Sequence, residues 1–344
     1  MFLPLYQNRP SQRLDKAFLE LFRLSVKQFH YLSTDLRTWN DFHIYAIDGS
    51  TIQIPESEEN YKVFGGNPNK TQIVSPLASV SVLYDVMNDI LVDVSLHSYR
   101  YNERESAQSH IDFLPGFPNS ILLFDRGYPS EDMFRYLNSK KILFLMRIPK
   151  TFNKAISEQD DTLFTYPASC NKEALTLRSI HFLLEDGSTE YLVTNLTQDQ
   201  MSTEKFSALY RLRWGIESKY RELKNRLEIE DFNSVKPVSI RQEFFAAMYL
   251  SNLAAIIKSE AGLMAAASAG SRHEYQSSRS YILSRIKSCI IRLLWSSLSV
   301  CNKMICLIIE ESSKIRSIIR PGRKFGRYRK HTRRRYYKHM KSCI

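Results

Sequence analysis

The sequence predicts an α/β protein, and three observations carry that prediction. Strand-like and helical stretches alternate between residues 41 and 149, a more polar, β-rich stretch from 150 to 200 interrupts them, and from Thr203 the chain reads as mainly helical. Composition agrees: 43% of the 344 residues are hydrophobic and 24% charged, near globular averages, which excludes a mostly disordered chain. Eleven Gly and twelve Pro exclude collagen-like or linker-dominated architectures.

Residues 14 to 38 are expected to be helical, because Leu14, Phe18, Leu21, Phe22, Val26 and Phe29 recur near a 3.6-residue period. HIYAIDGSTIQIP reads as a strand ending in a turn at Asp48-Gly49-Ser50. Residues 77 to 97 read as two strands joined at Met87-Asn88-Asp89, a hairpin signal. The polar run YRYNERESAQSHIDFL suits a helix from about Glu103. After the turn-rich PGFPNS, ILLFDRGY is a short apolar run of the buried-strand kind, with Asp125 at its C-terminal end. A helix from Ser130 to Lys140 and a second apolar strand, KILFLMRIP, follow; TEYLVTNLT is a strand closing the 150–200 stretch. Helices are expected over 203–228 and 239–260, a small and polar linker over 261–280, and a last helix from about Tyr281 to Ser312. No repeat of 20 to 50 residues is present.

The net charge of +12 is concentrated at one end. Residues 312 to 344 hold 13 of the 48 Lys and Arg and no acid, leaving 35 basic groups against 36 acidic ones elsewhere. Basic side chains interleaved with Phe325, Tyr328, Tyr336 and Tyr337 suit phosphate contacts with base or sugar stacking, so nucleic acid is favoured over a merely solubilising tail. A membrane role is disfavoured. The most apolar stretch, Phe244 to Ile257, has 14 residues and contains Ser251 and Asn252, short of the roughly 18 needed to span. The start MFLPLYQNRPSQR lacks the pattern of a signal peptide, and five scattered cysteines suit a reducing compartment, so a cytoplasmic location is expected.

Three acids stand out. Asp48 and Asp125 are placed at strand ends, where side chains can converge on a ligand. Glu217 lies within the helix of YRLRWGIESKYRELKNRL, where Tyr210, Arg213, Glu217 and Lys224 have offsets 0, 3, 7 and 14. At about 100° per residue these four fall on one stripe roughly 60° wide. An acid flanked by Tyr, Arg and Lys suits a metal ligand beside a phosphate clamp, although a salt-bridged surface face gives the same pattern. Lys219 falls on the opposite face and is expected to tolerate alanine. Trp214, beside Arg213, is either a packing anchor or a base-stacking residue.

Together, Asp48 in IDGS, Asp125 in DRGY and Tyr-x2-Arg-x3-Glu-x6-Lys at Tyr210, Arg213, Glu217 and Lys224 resemble the DDE transposases of the insertion sequence 4 family. The resemblance covers roughly Asp41 to Lys258 and extends to the basic tail. It implies a ribonuclease H-like core, a mixed sheet flanked by helices, with a β-rich insertion between the second Asp and the Glu and a helical C-terminal part. The expected division is a short N-terminal helical segment (1–40), the first part of the catalytic core (41–149), the insertion (150–200), the catalytic helix and rest of the core (201–260), a linker and C-terminal helix (261–311) and a basic DNA-binding tail (312–344). Only 47 residues precede Asp48, so the N-terminal segment is expected to be shorter than a full end-recognition domain.

The resemblance also implies roles. Asp48, Asp125 and Glu217 would be the catalytic carboxylates and would hold two Mg2+ ions, with Mn2+ as a possible substitute. Tyr210, Arg213 and Lys224, with Trp214, would contact DNA. The implied reaction is cut-and-paste transposition: cleavage at transposon ends, then strand transfer into target DNA. The implied partners are double-stranded DNA and a second copy in a dimeric synaptic complex, at the bacterial nucleoid. An inactive remnant that only binds DNA and a structure-specific nuclease of the same fold class are the alternatives. Other signals point elsewhere. Asp85, Asp89 and Asp93 read as a solvated face and Cys301-x4-Cys306 as helix packing, while Glu105 in NERES is the one further acid not dismissed as a neighbour of the site, with a position away from it favoured.

Overall fold

The computed structural model describes residues 14–33, 36–68, 74–153, 156, 160–169, 172–184, 187–266 and 275–318. The described residues divide into two compact units, one within 26–53 and 61–222, the other within 14–25, 54–60 and 223–318.

The first unit is built on one sheet, which among the described residues has nine strands. Its central part is β1 (His43–Gln53), β3 (Val74–Asp85), β4 (Ile90–Ser98), β5 (Ser120–Phe124) and β6 (Leu143–Ile148), in the order β4-β3-β1-β5-β6, with the short β2 (Gly66–Pro68) paired to the start of β3. β3 runs antiparallel to β1 and β4, while β1, β5 and β6 are mutually parallel. Counted along the chain this is a 3-2-1-4-5 order with only the second strand reversed, the ribonuclease H-like arrangement that the resemblance implies. The apolar runs explain it. Ile121 to Phe124 and Phe144 to Met146 are buried on both faces, as parallel strands covered by helices must be.

The covering helices are set by local signals. On α3 (Glu103–Ile111) the Asn102 side chain accepts from the Arg104 N–H, and on α4 (Glu131–Ser139) Ser130 accepts from the Met133 N–H. A buried polar chain holds α3 to the sheet: His110 Nδ1 lies 2.7 Å from Asp93 Oδ2 and Nε2 lies 3.0 Å from Ser81 Oγ. Asp93 and Asp85 are therefore core residues, contrary to the solvated face expected of them. The fourfold spacing straddles a hairpin, so each acid meets different neighbours. Asp85, at the end of β3, accepts from the N–H of Asn88 in the turn, and Asp89 is the last turn residue, with positive φ.

The β-rich insertion is not a separate body. β7 (Asp161–Tyr166), β8 (Leu175–Leu183) and β9 (Thr189–Thr194) extend the sheet past β6, through antiparallel pairing of β6 with β9. Buried Arg178 ties the insertion down, donating to Asp161, Thr203 Oγ1 and the carbonyls of Thr197 and Met201.

The second unit is helical. α7 (Pro237–Ala266), which contains Phe244 to Ile257, packs with α8 (Arg279–Trp295) and α9 (Leu298–Lys314). Among the described residues no helix is long and apolar enough to cross a membrane. The linker expected from 261 begins later, because α7 continues to Ala266, and the single helix expected from Tyr281 is two, broken at Ser296 and Ser297. Residues 312–318, the start of the expected tail, close α9 and form β11 (Arg316–Ile318), paired with β10 (Tyr275–Ser277). The rest of the tail, from 319, lies outside the described residues.

Candidate active site

Asp48 is not at a turn. β1 runs on to Gln53 because β3 pairs with it as far as Gln53↔Leu77. The parallel pairing with β5, however, ends at Ile47↔Phe124. Asp48 and Asp125 are thus the next residues on two adjacent parallel strands, side by side where the pairing stops. This is the carboxyl-end crevice of an open α/β sheet.

Glu217 reaches the same place from a helix that bends. The expected helix over 203–228 is two, α5 (Lys205–Leu212) and α6 (Trp214–Asn225), joined at Arg213. There the Arg213 N–H donates to Tyr210 O at 3.1 Å and the Ile216 N–H to Arg213 O at 3.0 Å, both tighter i to i+3 bonds. Two tyrosines fasten the pair of helices to the strands. Tyr210 Oη on α5 lies 3.3 Å from Asp125 Oδ1 and 3.5 Å from Phe124 O. Tyr220 Oη on α6 donates to Asp48 O at 2.8 Å. Gly215 lets α6 approach the end of β3 and the turn after it, since a Cβ there would stand 3.1 Å from Val86 Cγ1 and 3.6 Å from Tyr84 Cε1.

Arg213 is the hub. Its guanidinium donates to Glu217 Oε1 at 2.9 Å and lies 3.7 Å from Asp125 Oδ2 and 3.9 Å from Asp48 Oδ2. The residue is only 2% exposed, so it is not part of an exposed stripe. Arg147 on β6 adds a second cation, 3.9 Å from Asp125 Oδ1 and paired with Glu190 on β9. Burial pushes Asp48 up to about 6, with Asp125 and Glu217 adding to it, against the Gly49 N–H and Arg213.

The other residues singled out in the sequence lie as follows. Trp214 is 59% exposed, so it is no packing anchor. Lys224 lies on α6 beyond the division between the units and pairs with Glu230. Lys219 is on another face from Arg213, but it is buried, paired with Asp89 and set 5.4 Å from the Tyr84 ring. Glu105 is exposed and accepts from Asn102 Nδ2. Tyr220 and Arg147 were not singled out; the only sequence signal for Tyr220 is its place three residues after Glu217 on the same helix.

Hard oxygen donors from three segments fit a hard divalent cation such as Mg2+. Among the described residues no three acidic, histidine or cysteine side chains already converge on one metal position, and Arg213 occupies the space between the acids. Nε and Nη1 of this buried arginine lack hydrogen-bond partners, as befits a group shared between carboxylates.

Comparison with known proteins accords with this geometry. A family model described as "Transposase DDE domain" matches residues 39–253. InsZ of Escherichia coli (strain K12), whose name places it among transposases, is 31% identical over 135 residues, 38% of this chain. That match spans 44% of InsZ, so the chain covers less than half of this relative. A piggyBac transposase synaptic complex with hairpin DNA aligns at 9% identity and a TM-score of 0.46, over 77% of this chain and 57% of that one. A Mos1 transposase paired-end complex with the left transposon end aligns at 12% identity and a TM-score of 0.20, over 41% and 44%. At these scores the strand order, and not the superposition, carries the fold.

Proposed function

This chain belongs to the transposase DDE domain family, a family of DNA-cleaving and transesterifying enzymes, and from that premise we propose that it performs cut-and-paste transposition. In this reading, water attacks the phosphodiester at a transposon end and frees a 3′-hydroxyl, which then attacks target DNA. Asp48, Asp125 and Glu217 are the catalytic carboxylates and hold two divalent cations, Mg2+ by preference. Bound there, such cations supply activation of the attacking oxygen and stabilisation of the leaving one in an in-line displacement.

The chain's own residues prepare this site. Tyr210 and Tyr220 fix the two helix segments against the strands that bear the aspartates. Arg213 keeps the Glu217 carboxylate turned toward Asp125. Exposed Trp214 and half-buried Lys224, with the basic segment from 312, contact double-stranded DNA, and two copies hold two ends in a synaptic complex at the bacterial nucleoid. The observation that carries the reading is one guanidinium within 4 Å of carboxylates from three distant segments. Its test is magnesium-dependent nicking or joining of supercoiled plasmid bearing the DNA that flanks this reading frame. Cutting that persists in chelator would overturn the metal-dependent part.

A further inference from the structure

Two glycines stand close to the two aspartates, Gly49 directly after Asp48 and Gly127 two residues after Asp125. A Cβ on Gly49 would lie 3.4 Å from Glu103 Oε1, and one on Gly127 would lie 3.1 Å from Glu103 Oε2. A single carboxylate, at the first residue of α3, thus rests against both aspartate-bearing backbones. The approach at Gly127 is tighter than an ordinary Cβ contact allows. Glu103 is exposed and among the described residues has no ion-pair partner.

An independent group points to the same place. Tyr128 is 2% exposed, its Oη has no hydrogen-bond partner, and that oxygen lies 3.7 Å from the Cβ position of Gly49. A buried hydroxyl left unpaired costs about 1–3 kcal/mol, so Tyr128 Oη would gain from a polar partner in this space. The charges agree. Asp48, Asp125 and Glu217 all lie within 4 Å of Arg213, and Arg147, 3.9 Å from Asp125, is also paired with Glu190.

We propose that Glu103 is a fourth carboxylate ligand of the cation centre, on the side lined by Gly49 and Gly127, with the Tyr128 hydroxyl turned toward the same oxygen-rich space. The inference rests on the metal-dependent reading above and extends it to a segment outside the three motifs. A Mg2+ ion takes one or two carboxylates and fills its remaining positions with water and phosphate, so two ions leave room for a ligand from α3. The competing explanation is a carboxylate placed at a helix N-terminus only for its favourable interaction with the helix dipole.

Mn2+ titrated into the full-length chain without DNA, with bound ions counted by electron paramagnetic resonance, separates the two. The wild type should bind two ions, and Glu103→Gln should weaken one of them tenfold or more, at least the loss typical of an outer-shell partner. Glu105→Gln, on the same helix, should bind as the wild type does. Gly127→Ala, which crowds the carboxylate without removing its charge, should weaken the same ion by a smaller factor. Melting in chelator should be nearly unchanged for Glu103→Gln; if that variant melts early, Gly127→Ala decides. Unchanged Mn2+ number and affinity in both variants would overturn the proposal and leave the three-carboxylate site standing. A wild type that binds no Mn2+ would overturn the metal-dependent reading itself, and this inference with it.

Discussion

Tyr220 Oη donates to the carbonyl oxygen of Asp48 at 2.8 Å, so the helix that carries Glu217 is fastened to the strand at the residue it must face. Tyr220→Phe should lower cleavage more than it lowers stability. One lost hydrogen bond costs about 1 kcal/mol, whereas a misplacement of Glu217 by 1 Å can cost on the order of a hundredfold in rate. Single-turnover cleavage set beside melting temperature checks this, and a rate loss no larger than the stability loss would deny Tyr220 a positioning role.

Arg213 is expected to matter for folding as well as for chemistry. Sequence periodicity alone implies an exposed charge whose removal is nearly neutral for stability. Burial against Glu217, Asp125 and Asp48 reverses that expectation. Arg213→Ala should destabilise the protein by roughly 3 kcal/mol, because removing one partner leaves like charges facing each other. Millimolar Mg2+ should restore part of the loss by supplying the missing positive charge. Denaturant melts with Mg2+ and with chelator measure both effects.

Asp48 gives a pH dependence of definite sign. Its carboxyl is raised, chiefly by burial, from 3.8 to about 6. The folded state then binds the proton more tightly than the unfolded state, so stability falls as pH rises from about 4 to about 6 and stays lower above that. The difference is on the order of 3 kcal/mol. In chelator, Asp48→Asn should therefore raise the melting temperature at pH 7.5 and change it little at pH 3.5. A variant that melts lower than wild type at pH 7.5 would contradict the raised value.

Lys219→Ala and Trp214→Ala should behave oppositely. Lys219 is buried and pairs with Asp89, so its loss should destabilise the fold by about 2 kcal/mol. Exposed Trp214 should be lost with little change in melting temperature but with weaker DNA binding, since base–aromatic stacking contributes about 1–3 kcal/mol. Gel-shift affinities beside melting curves test the pair.

Much of this was legible in the sequence, for physical reasons. ILLF and LFLM read as buried strands because strands covered on both faces need unbroken apolar runs. Asp48, Asp125 and Glu217 were visible because carboxylates beside apolar strands and a Tyr-Arg-Glu helix are poorly explained by packing. Depth was not legible. Projection at 100° per residue orders the faces of an unbroken helix, but the i to i+3 joint at Arg213 resets the phase, and the pattern says nothing of which face is covered. So Arg213 and Lys219 looked exposed and are buried. Nothing in the sequence sets Glu103 apart from Glu105, two residues on, because the contacts that distinguish them come from Gly49 and Gly127, far away in the chain.

If Asp48, Asp125 and Glu217 form one metal-dependent cleavage centre, end cleavage depends on each of them, and their single alanine variants test it. Each variant, with Mg2+ and a supercoiled plasmid bearing the flanking DNA, should lose strand cleavage by at least a thousandfold while binding that DNA within a few-fold of wild type. Binding should persist because it rests mainly on phosphate contacts made elsewhere. Wild-type-like cleavage by any one of the three would contradict the account and remove that carboxylate from the centre.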